Sequence, residues 1–152
     1  MNTSKVKCLF VLLVIASARC HEESTRQEVS LYMRQSWVKM CAPYSNFCIC
    51  ESGVNPAVAY KSLMLTEVPS DPCLKCYYHC LLVKLNLIEA TTGLLVEEEF
   101  LRQMEGVTPE IFKKCEKLTR YEVDLCKKSF DTYLCVVHAT QKPTTPVLEK
   151  EY

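Results

Sequence analysis

Residues 73–80, CLKCYYHC, place three cysteines and one histidine within eight positions. Side chains of these types could hold a metal ion, supply a catalytic thiol or form disulfide bridges. A zinc site would need a second pair of ligands at short, regular spacing, and the cysteines that follow, at positions 115, 126 and 135, lie far apart. The pattern therefore favours disulfides over a metal site, provided that the chain reaches an oxidising compartment.

The first 20 residues have the layout of a secretory signal peptide. Lys5 and Lys7 precede an apolar run, and small residues follow it, which predicts cleavage after Ala18 or after Cys20. No later stretch approaches the roughly 18 consecutive apolar residues of a membrane span. We therefore expect a secreted, extracellular protein, with residues 21–140 as one domain and residues 141–152 as a C-terminal tail.

The charge balance gives no indication of a nucleic-acid partner. The whole chain is formally neutral, but the predicted signal peptide removes bases and no acid, so 18 acids against 16 or 15 bases leave a charge of about −2 or −3. A weakly acidic chain lacks the electrostatic footprint for nucleic acid or anionic lipid. The nine or ten cysteines that remain after cleavage predict a disulfide framework in an oxidising compartment.

Three dipeptides predict helix starts. In Asn55-Pro56, Asp71-Pro72 and Thr108-Pro109, a side chain able to accept backbone N–H groups precedes a proline suited to the first helical position. No long alternation of apolar and polar residues argues for a sheet, so the fold class is all-α. The predicted helices lie near 25–40, 55–65, 71–88, 95–105, 108–119 and 122–139.

Helical geometry restricts how the cysteines can pair. At about 100° per residue, Cys73, Cys76 and Cys80 fall on one side of their helix, whereas His79 projects elsewhere as a solvated or interfacial side chain. Cys126 and Cys135 are nine residues apart and face opposite sides of the last helix. The last helix can therefore be linked to two different neighbours.

The order and spacing of six cysteines resemble the insect odorant-binding protein family, which includes the pheromone-binding proteins. That family has three residues between its second and third cysteines and eight between its fifth and sixth. Residues 76–80, CYYHC, and residues 126–135, CKKSFDTYLC, meet both spacings. Cys50 resembles the first family cysteine, and Cys115 lies at a suitable distance before the fifth. The resemblance covers the chain from about residue 26 to residue 139.

The resemblance implies a compact bundle of about six helices, cross-braced by three or more disulfides and enclosing an apolar cavity. The implied bridges are Cys50–Cys80, Cys76–Cys126 and Cys115–Cys135. Cys41, Cys48 and Cys73 are additional to these six, and an exchange between Cys48 and Cys50 would need only a small shift of the backbone. Because Cys73 lies on the same face as Cys80, we also predict a fourth bridge from Cys73 to Cys41 or Cys48.

The function that the resemblance implies is reversible binding of a small hydrophobic ligand, such as an odorant, a pheromone or a similar semiochemical. We expect a monomer or weak dimer without cofactor or metal, and a chemosensory receptor is a further candidate partner. Tyr133 is the expected polar contact through its hydroxyl. The predicted ligand-binding residues are Leu101, Met104, Phe112, Phe130, Tyr133 and Val137. Their apolar stripes would also suit an ordinary core, which periodicity cannot distinguish from a lined cavity.

Other functional classes fit less well. A secreted phospholipase A2 places a carboxylate directly after its histidine, whereas His79 is followed by Cys80. No Ser/His/Asp context argues for another hydrolase, so we expect no enzyme. A saposin-like lipid-interacting domain clusters its cysteine pairs at the chain ends, unlike this chain. A carrier of the same fold that works outside olfaction, in a gland or body fluid, remains an alternative.

The tail offers one regulatory hypothesis. Val147, Leu148 and Tyr152 give it an apolar side, and His138 lies at its root. The tail could act as a lid whose position depends on pH, or it could be a disordered terminus.

Overall fold

The computed structural model of the protein describes residues 27–143. This part of the chain forms six helices and one pair of two-residue strands, which confirms the all-α prediction. The elements are β1 (Gln27–Glu28), α1 (Leu31–Ser52), α2 (Pro56–Met64), α3 (Pro72–Lys84), α4 (Glu97–Gln103), α5 (Pro109–Thr119), α6 (Leu125–Thr140) and β2 (Lys142–Pro143). The predicted signal peptide and most of the predicted tail lie outside the described residues.

The three predicted helix starts are confirmed. Asn55 Oδ1 accepts a hydrogen bond from the N–H of Ala57 at 2.9 Å at the start of α2. Asp71 Oδ1 accepts from Leu74 at 2.7 Å at the start of α3, and Thr108 Oγ1 caps α5 in the same way. Each side chain satisfies an N–H group that the first turn leaves without a helical partner.

Helix α1 differs from its prediction at both ends. It begins after Ser30, whose hydroxyl accepts from the N–H of Met33, and it continues through Pro43 to Ser52. Gly53 ends it with a φ of 68°, in the left-handed region where glycine carries no Cβ penalty. The predicted range of 25–40 ends before Pro43, and a proline in a helix interior costs about 3 kcal/mol. Burial of Trp37 and Cys48 on one face of α1 offsets that cost.

Helix α3 ends earlier than predicted because Asn86 adopts a positive φ of 58°. The N–H of Asn86 donates to the carbonyl of Val83 at 3.0 Å, and that of Leu87 donates to Leu82 at 2.8 Å. These two bonds form a Schellman motif, in which asparagine can replace the usual glycine. The chain then turns, so that Leu87 is buried rather than exposed on an extended helix.

Helix α6 begins at Leu125 rather than near residue 122. The carboxylate of Asp124 accepts from the N–H groups of Cys126 at 2.9 Å and Lys127 at 3.1 Å. Helix α3 is central in the described chain and packs against α1 and α6, while α5 packs against α4 and α6. Strands β1 and β2 pair antiparallel, with Gln27 opposite Pro143.

Three disulfides link the helices. Cys76–Cys126 joins α3 to α6, and Cys115–Cys135 joins α5 to α6, which confirms both pairs and the prediction that opposite faces of α6 reach two neighbours. The third bridge is Cys48–Cys80 between α1 and α3, so the predicted Cys50–Cys80 pair is wrong. Cys48 is fully buried against α3, whereas Cys50 is two positions further along α1 and faces solvent.

The predicted fourth bridge is wrong as well. Cys73 is an exposed free thiol, Cys41 is a buried free thiol, and Cys48 is already paired with Cys80. The three cysteines of α3 share one face, but this face contacts two neighbouring helices and not one. Cys76 is bonded to α6, and Cys80 is bonded to α1. Cys73, in the first turn of α3, therefore lies beyond both contacts.

Candidate functional site

A wholly apolar void of about 10 Å³ lies in the interior between the helices. This volume is close to the minimum that accommodates one water molecule, so side chains fill most of the interior. The void is lined by Trp37, Met40 and Cys41 of α1, Leu63 of α2, Tyr78, Leu81 and Leu82 of α3, Leu85, Leu87 and Met104 of the connections, and Tyr133 of α6.

Two stacked tyrosines supply hydroxyl groups beside this void. The rings of Tyr78 and Tyr133 stack with centroids 4.2 Å apart. The hydroxyl of Tyr78 donates to Ser62 Oγ at 2.7 Å, and that of Tyr133 donates to the backbone carbonyl of Ser62 at 2.8 Å. Burial raises the pKa of both phenols well above the usual value, so both remain neutral hydrogen-bond donors.

Trp37 forms another wall of the void. Its indole Nε1 donates to the carbonyl of Glu105 at 2.9 Å, and its ring meets the ring of Tyr133 edge-on at 6.0 Å between centroids. The hydrogen bond satisfies the one polar group of a fully buried tryptophan. It also ties α1 to the connection between α4 and α5.

The six predicted ligand-binding residues occupy different environments. Met104 and Tyr133 line the void. Phe130 contacts Tyr78 edge-on, Phe112 packs against Phe100, and Val137 is buried in the core. Leu101 is 38% exposed on α4. The structure therefore brings two of the six to the void, three to the surrounding core and one to the surface.

Sequence reasoning missed the contributions of Trp37 and Tyr78. Trp37 and Cys41 are four residues apart and share a face of α1, but the prediction ended α1 near residue 40. Tyr78 lies inside the CLKCYYHC stretch, which was interpreted only through its cysteines and its histidine. The signal available in the sequence was the single tryptophan of the chain, a large apolar residue that stands four positions before Cys41.

A solvent-accessible groove of about 310 Å³ lies between α1 and α2. Its lining includes Val38 and Ile49 of α1 and Tyr60 of α2. Cys41 and Leu63 line both this groove and the interior void. These two side chains are therefore the partition between the groove and the void.

Cys41 is a free thiol that lines the groove but is almost completely buried. Its exposed fraction is 3%, and desolvation raises its pKa to about 12. A thiol with so high a pKa is protonated at neutral pH and is a poor nucleophile. Cys41 therefore behaves as a small apolar wall of the interior.

The histidine of CLKCYYHC faces α6. His79 is half-buried, and its Nδ1 lies 3.2 Å from Ser129 Oγ. Ser129 is fully buried and donates its proton to the carbonyl of Leu125 at 2.8 Å, while Asp124 caps α6. The contact between His79 and Ser129 links α3 to α6. His79, Ser129 and Asp124 do not form a nucleophile–base–acid relay, because such a relay needs an accessible serine.

Within residues 27–143, no group of three or more histidine, cysteine, aspartate or glutamate side chains is placed to bind a metal ion. In the same part of the chain, no helix combines the length and the apolar character that crossing a membrane requires.

Residues 33–139 match the model of the PBP/GOBP family, the insect pheromone-binding and general odorant-binding proteins. The chain belongs to this family. The match spans α1 to α6 and includes all three disulfides. No curated protein and no solved structure matches the chain at a significant level.

Membership of the PBP/GOBP family directs attention to the apolar interior. Proteins of this family bind small hydrophobic molecules, and the disulfides fit an oxidising, extracellular setting. Within residues 27–143, the interior between α1, α3 and α6 combines an apolar lining with buried hydroxyl donors.

Proposed function

We propose that the protein is an extracellular carrier that binds a small hydrophobic molecule, such as an odorant, a pheromone or a similar semiochemical, reversibly and without chemical turnover. The observation that carries the proposal is the apolar lining of the interior void, to which four helices and two connections contribute. Membership of the PBP/GOBP family supports it. A carrier of the same fold in a gland or body fluid is the second candidate.

The proposed site combines predicted and newly found residues. Met104 and Tyr133, both predicted, lie beside Trp37, Tyr78 and Leu82 around the void. Phe112, Phe130 and Val137 lie in the core, and Leu101, which is exposed on α4, is left out of the proposed site. Met40 and Met104 are flexible and polarisable, which suits walls that repack around a ligand.

The disulfides support this function through stability. A cavity inside a protein lowers the free energy of unfolding by about 24 cal/mol per Å³. An interior that opens for a ligand is therefore less stable than a fully packed one. Each bridge contributes about 3–4 kcal/mol by restricting the unfolded chain. The three bridges join α1, α3, α5 and α6, so these four helices keep their places while the interior repacks.

The test is uptake of the apolar fluorophore phenylnaphthylamine by the oxidised, ligand-stripped protein. We expect saturable binding of one probe per chain, with displacement by alcohols, esters or fatty acids of similar size. Met104→Lys places a charge at the void and is expected to abolish uptake. Leu118→Lys, on the exposed face of α5, is the matched control and should bind as the wild type does.

A second variant separates lost binding from lost folding. Met104→Ala removes side-chain volume at the void without adding charge, and we expect it to retain the probe. Circular dichroism and the number of bridges, measured by mass spectrometry, check that each variant is folded. The proposal is wrong if the folded wild type takes up neither the probe nor any member of the ligand panel.

A further inference from the structure

Helix α2 is attached to the bundle differently from most of its neighbours. The three disulfides of the described chain connect α1, α3, α5 and α6, and none of them reaches α2. Burial of Ala59 and Leu63 and a few hydrogen bonds join α2 to the other helices. Among the elements that line the void, α2 is therefore a helix that can move without breaking a covalent link.

The hydrogen bonds on α2 are concentrated at its last turn. The final carbonyls of a helix have no partner within it. In α2, the carbonyl of Ser62 accepts from the Tyr133 hydroxyl, and the carbonyl of Met64 accepts from the Arg34 guanidinium at 2.8 Å. The Tyr78 hydroxyl donates to Ser62 Oγ. Side chains from α1, α3 and α6 thus fasten the end of α2, and we call these three bonds the α2 latch.

The backbone on both sides of α2 takes unusual conformations. Gly53, two residues before the Asn55 cap, has a φ of 68°. Thr66, just after the helix, has a φ of 53°, which is uncommon for a residue other than glycine. Hinges are formed by a few residues at the ends of elements that absorb changes in φ and ψ. Residues 53–55 and 65–66 are placed to serve in this way.

Displacement of α2 would join two spaces. Leu63, a residue of α2, and Cys41 separate the groove of about 310 Å³ from the void of about 10 Å³. A typical small-molecule site has a volume of about 300–1,000 Å³, which the void alone does not reach. The groove and the void together reach the lower part of this range once Leu63 moves aside.

We propose that α2 is the lid of the binding site. A ligand enters beneath this helix, and an oxygen atom of the ligand replaces Ser62 as the hydrogen-bond acceptor for the hydroxyls of Tyr78 and Tyr133. This inference rests on the proposed carrier function and specifies its ligand class. When α2 moves, both hydroxyls lose the acceptors that Ser62 provides inside an apolar interior, which is unfavourable. A ligand with one alcohol, aldehyde or ester oxygen restores an acceptor, whereas a hydrocarbon does not.

Opening of the lid can be measured at Cys41 without any ligand. The exposed thiols are first removed with Cys50→Ser and Cys73→Ser, which leaves Cys41 as the free thiol among the described residues. We then measure its alkylation by N-ethylmaleimide under native conditions. Cys41 has an exposed fraction of only 3% beside Leu63, so we expect its rapid reaction to require movement of α2.

The latch variant for this assay is Tyr78→Phe. It removes one hydrogen bond to α2 and leaves Ser62 Oγ donating to the carbonyl of Ala59. We expect alkylation of Cys41 to accelerate about fivefold, the factor that corresponds to one net hydrogen bond. Thr119→Val is the matched control, because it removes a buried contact between Thr119 and Thr132 on α5 and α6, and its rate should equal that of the parent.

Three results of the alkylation assay would contradict the proposed lid. One is an unchanged rate in Tyr78→Phe. Another is a rate that depends on urea as steeply as global unfolding does, since local opening exposes less surface. Equal acceleration by Thr119→Val would likewise indicate a general loss of stability instead of a latch.

The ligand class is tested by displacement of phenylnaphthylamine with decane and with 1-decanol. We expect the wild type to bind the alcohol at least about tenfold more tightly, because a site with buried donors discriminates against analogues that lack the acceptor. The double variant Tyr78→Phe/Tyr133→Phe should lose that preference. Equal affinities in the wild type contradict the proposed oxygen contact. If the wild type binds no ligand at all, the carrier function fails, while alkylation of Cys41 still reports whether α2 opens.

Discussion

His79 couples the stability of the protein to pH through the environment of a single imidazole. Desolvation between α3 and α6 lowers its pKa below the usual value of about 6.5, and the opposing charge of Asp124 is the smaller influence. The folded protein therefore binds fewer protons than the unfolded chain at mildly acidic pH. The contribution of His79 to stability is complete above about pH 6.5 and is lost as the pH falls through the folded-state pKa.

This coupling predicts the behaviour of His79→Gln. The free energy of unfolding of the wild type should decrease between about pH 7 and pH 5 by more than that of the variant. Urea denaturation at several pH values measures the difference. His138→Gln removes an exposed histidine from α6 and is the matched control. Parallel pH profiles for the wild type and His79→Gln would show that desolvation of His79 has no energetic consequence.

At the scale of the elements, the helix starts depend on caps that the sequence already displays. Asp71, Asn55 and Thr108 each satisfy N–H groups of a first turn that begins with proline. The Asp71 contact is the shortest of the three, at 2.7 Å from Oδ1 to the N–H of Leu74. Helix α3 carries Cys76, Cys80 and Tyr78, so fraying of its first turn would affect the centre of the bundle.

Asp71→Ala should therefore lower the free energy of unfolding by about 1 kcal/mol, the usual loss for an N-cap. Asp71→Asn keeps an oxygen at the same position and should recover most of that stability. Thermal and urea unfolding of the two variants measure the difference. If Asp71→Asn is as unstable as Asp71→Ala, the charge of the carboxylate matters at this position and the cap geometry does not.

At the scale of the whole molecule, the three bridges and the central position of α3 hold the helices that carry the site. The bridge Cys48–Cys80 closes a sequence separation of 32 residues and connects α1 to α3. Trp37, Cys41 and Tyr78, which line the void, belong to these two helices. The bridge therefore holds together two walls of the interior.

The choice of Cys48 over Cys50 has a direct test. Cys48→Ser/Cys80→Ser removes the bridge and both of its partners, and we expect a loss of about 3–4 kcal/mol for a loop of this size. Cys50→Ser changes an exposed thiol two residues away and should leave stability nearly unchanged. Peptide mapping of the unreduced wild type should find Cys48 linked to Cys80, and a Cys50–Cys80 peptide would contradict the structure.

The sequence alone determined the features that depend on neighbouring residues and on cysteine spacing. The all-α class, the three Asx/Thr-Pro helix starts, and the bridges Cys76–Cys126 and Cys115–Cys135 could be predicted. So could membership of the insect odorant-binding protein family. Caps act within one turn, and spacings such as CYYHC determine which face of a helix carries each thiol, so both can be read without knowing the partners.

The tertiary structure decided what depends on contacts between distant segments. Helix α1 passes through Pro43 because packing against the other helices buries its Trp37 and Cys48 face, a gain that no local propensity expresses. That longer helix turns Cys48 toward Cys80 and Cys50 toward solvent. The same packing brings Trp37 and Tyr78 to the void beside Met104 and leaves Leu101 at the surface. Periodicity identifies the apolar face of a helix, but only the positions of the other helices determine whether that face meets a wall, a cavity or water.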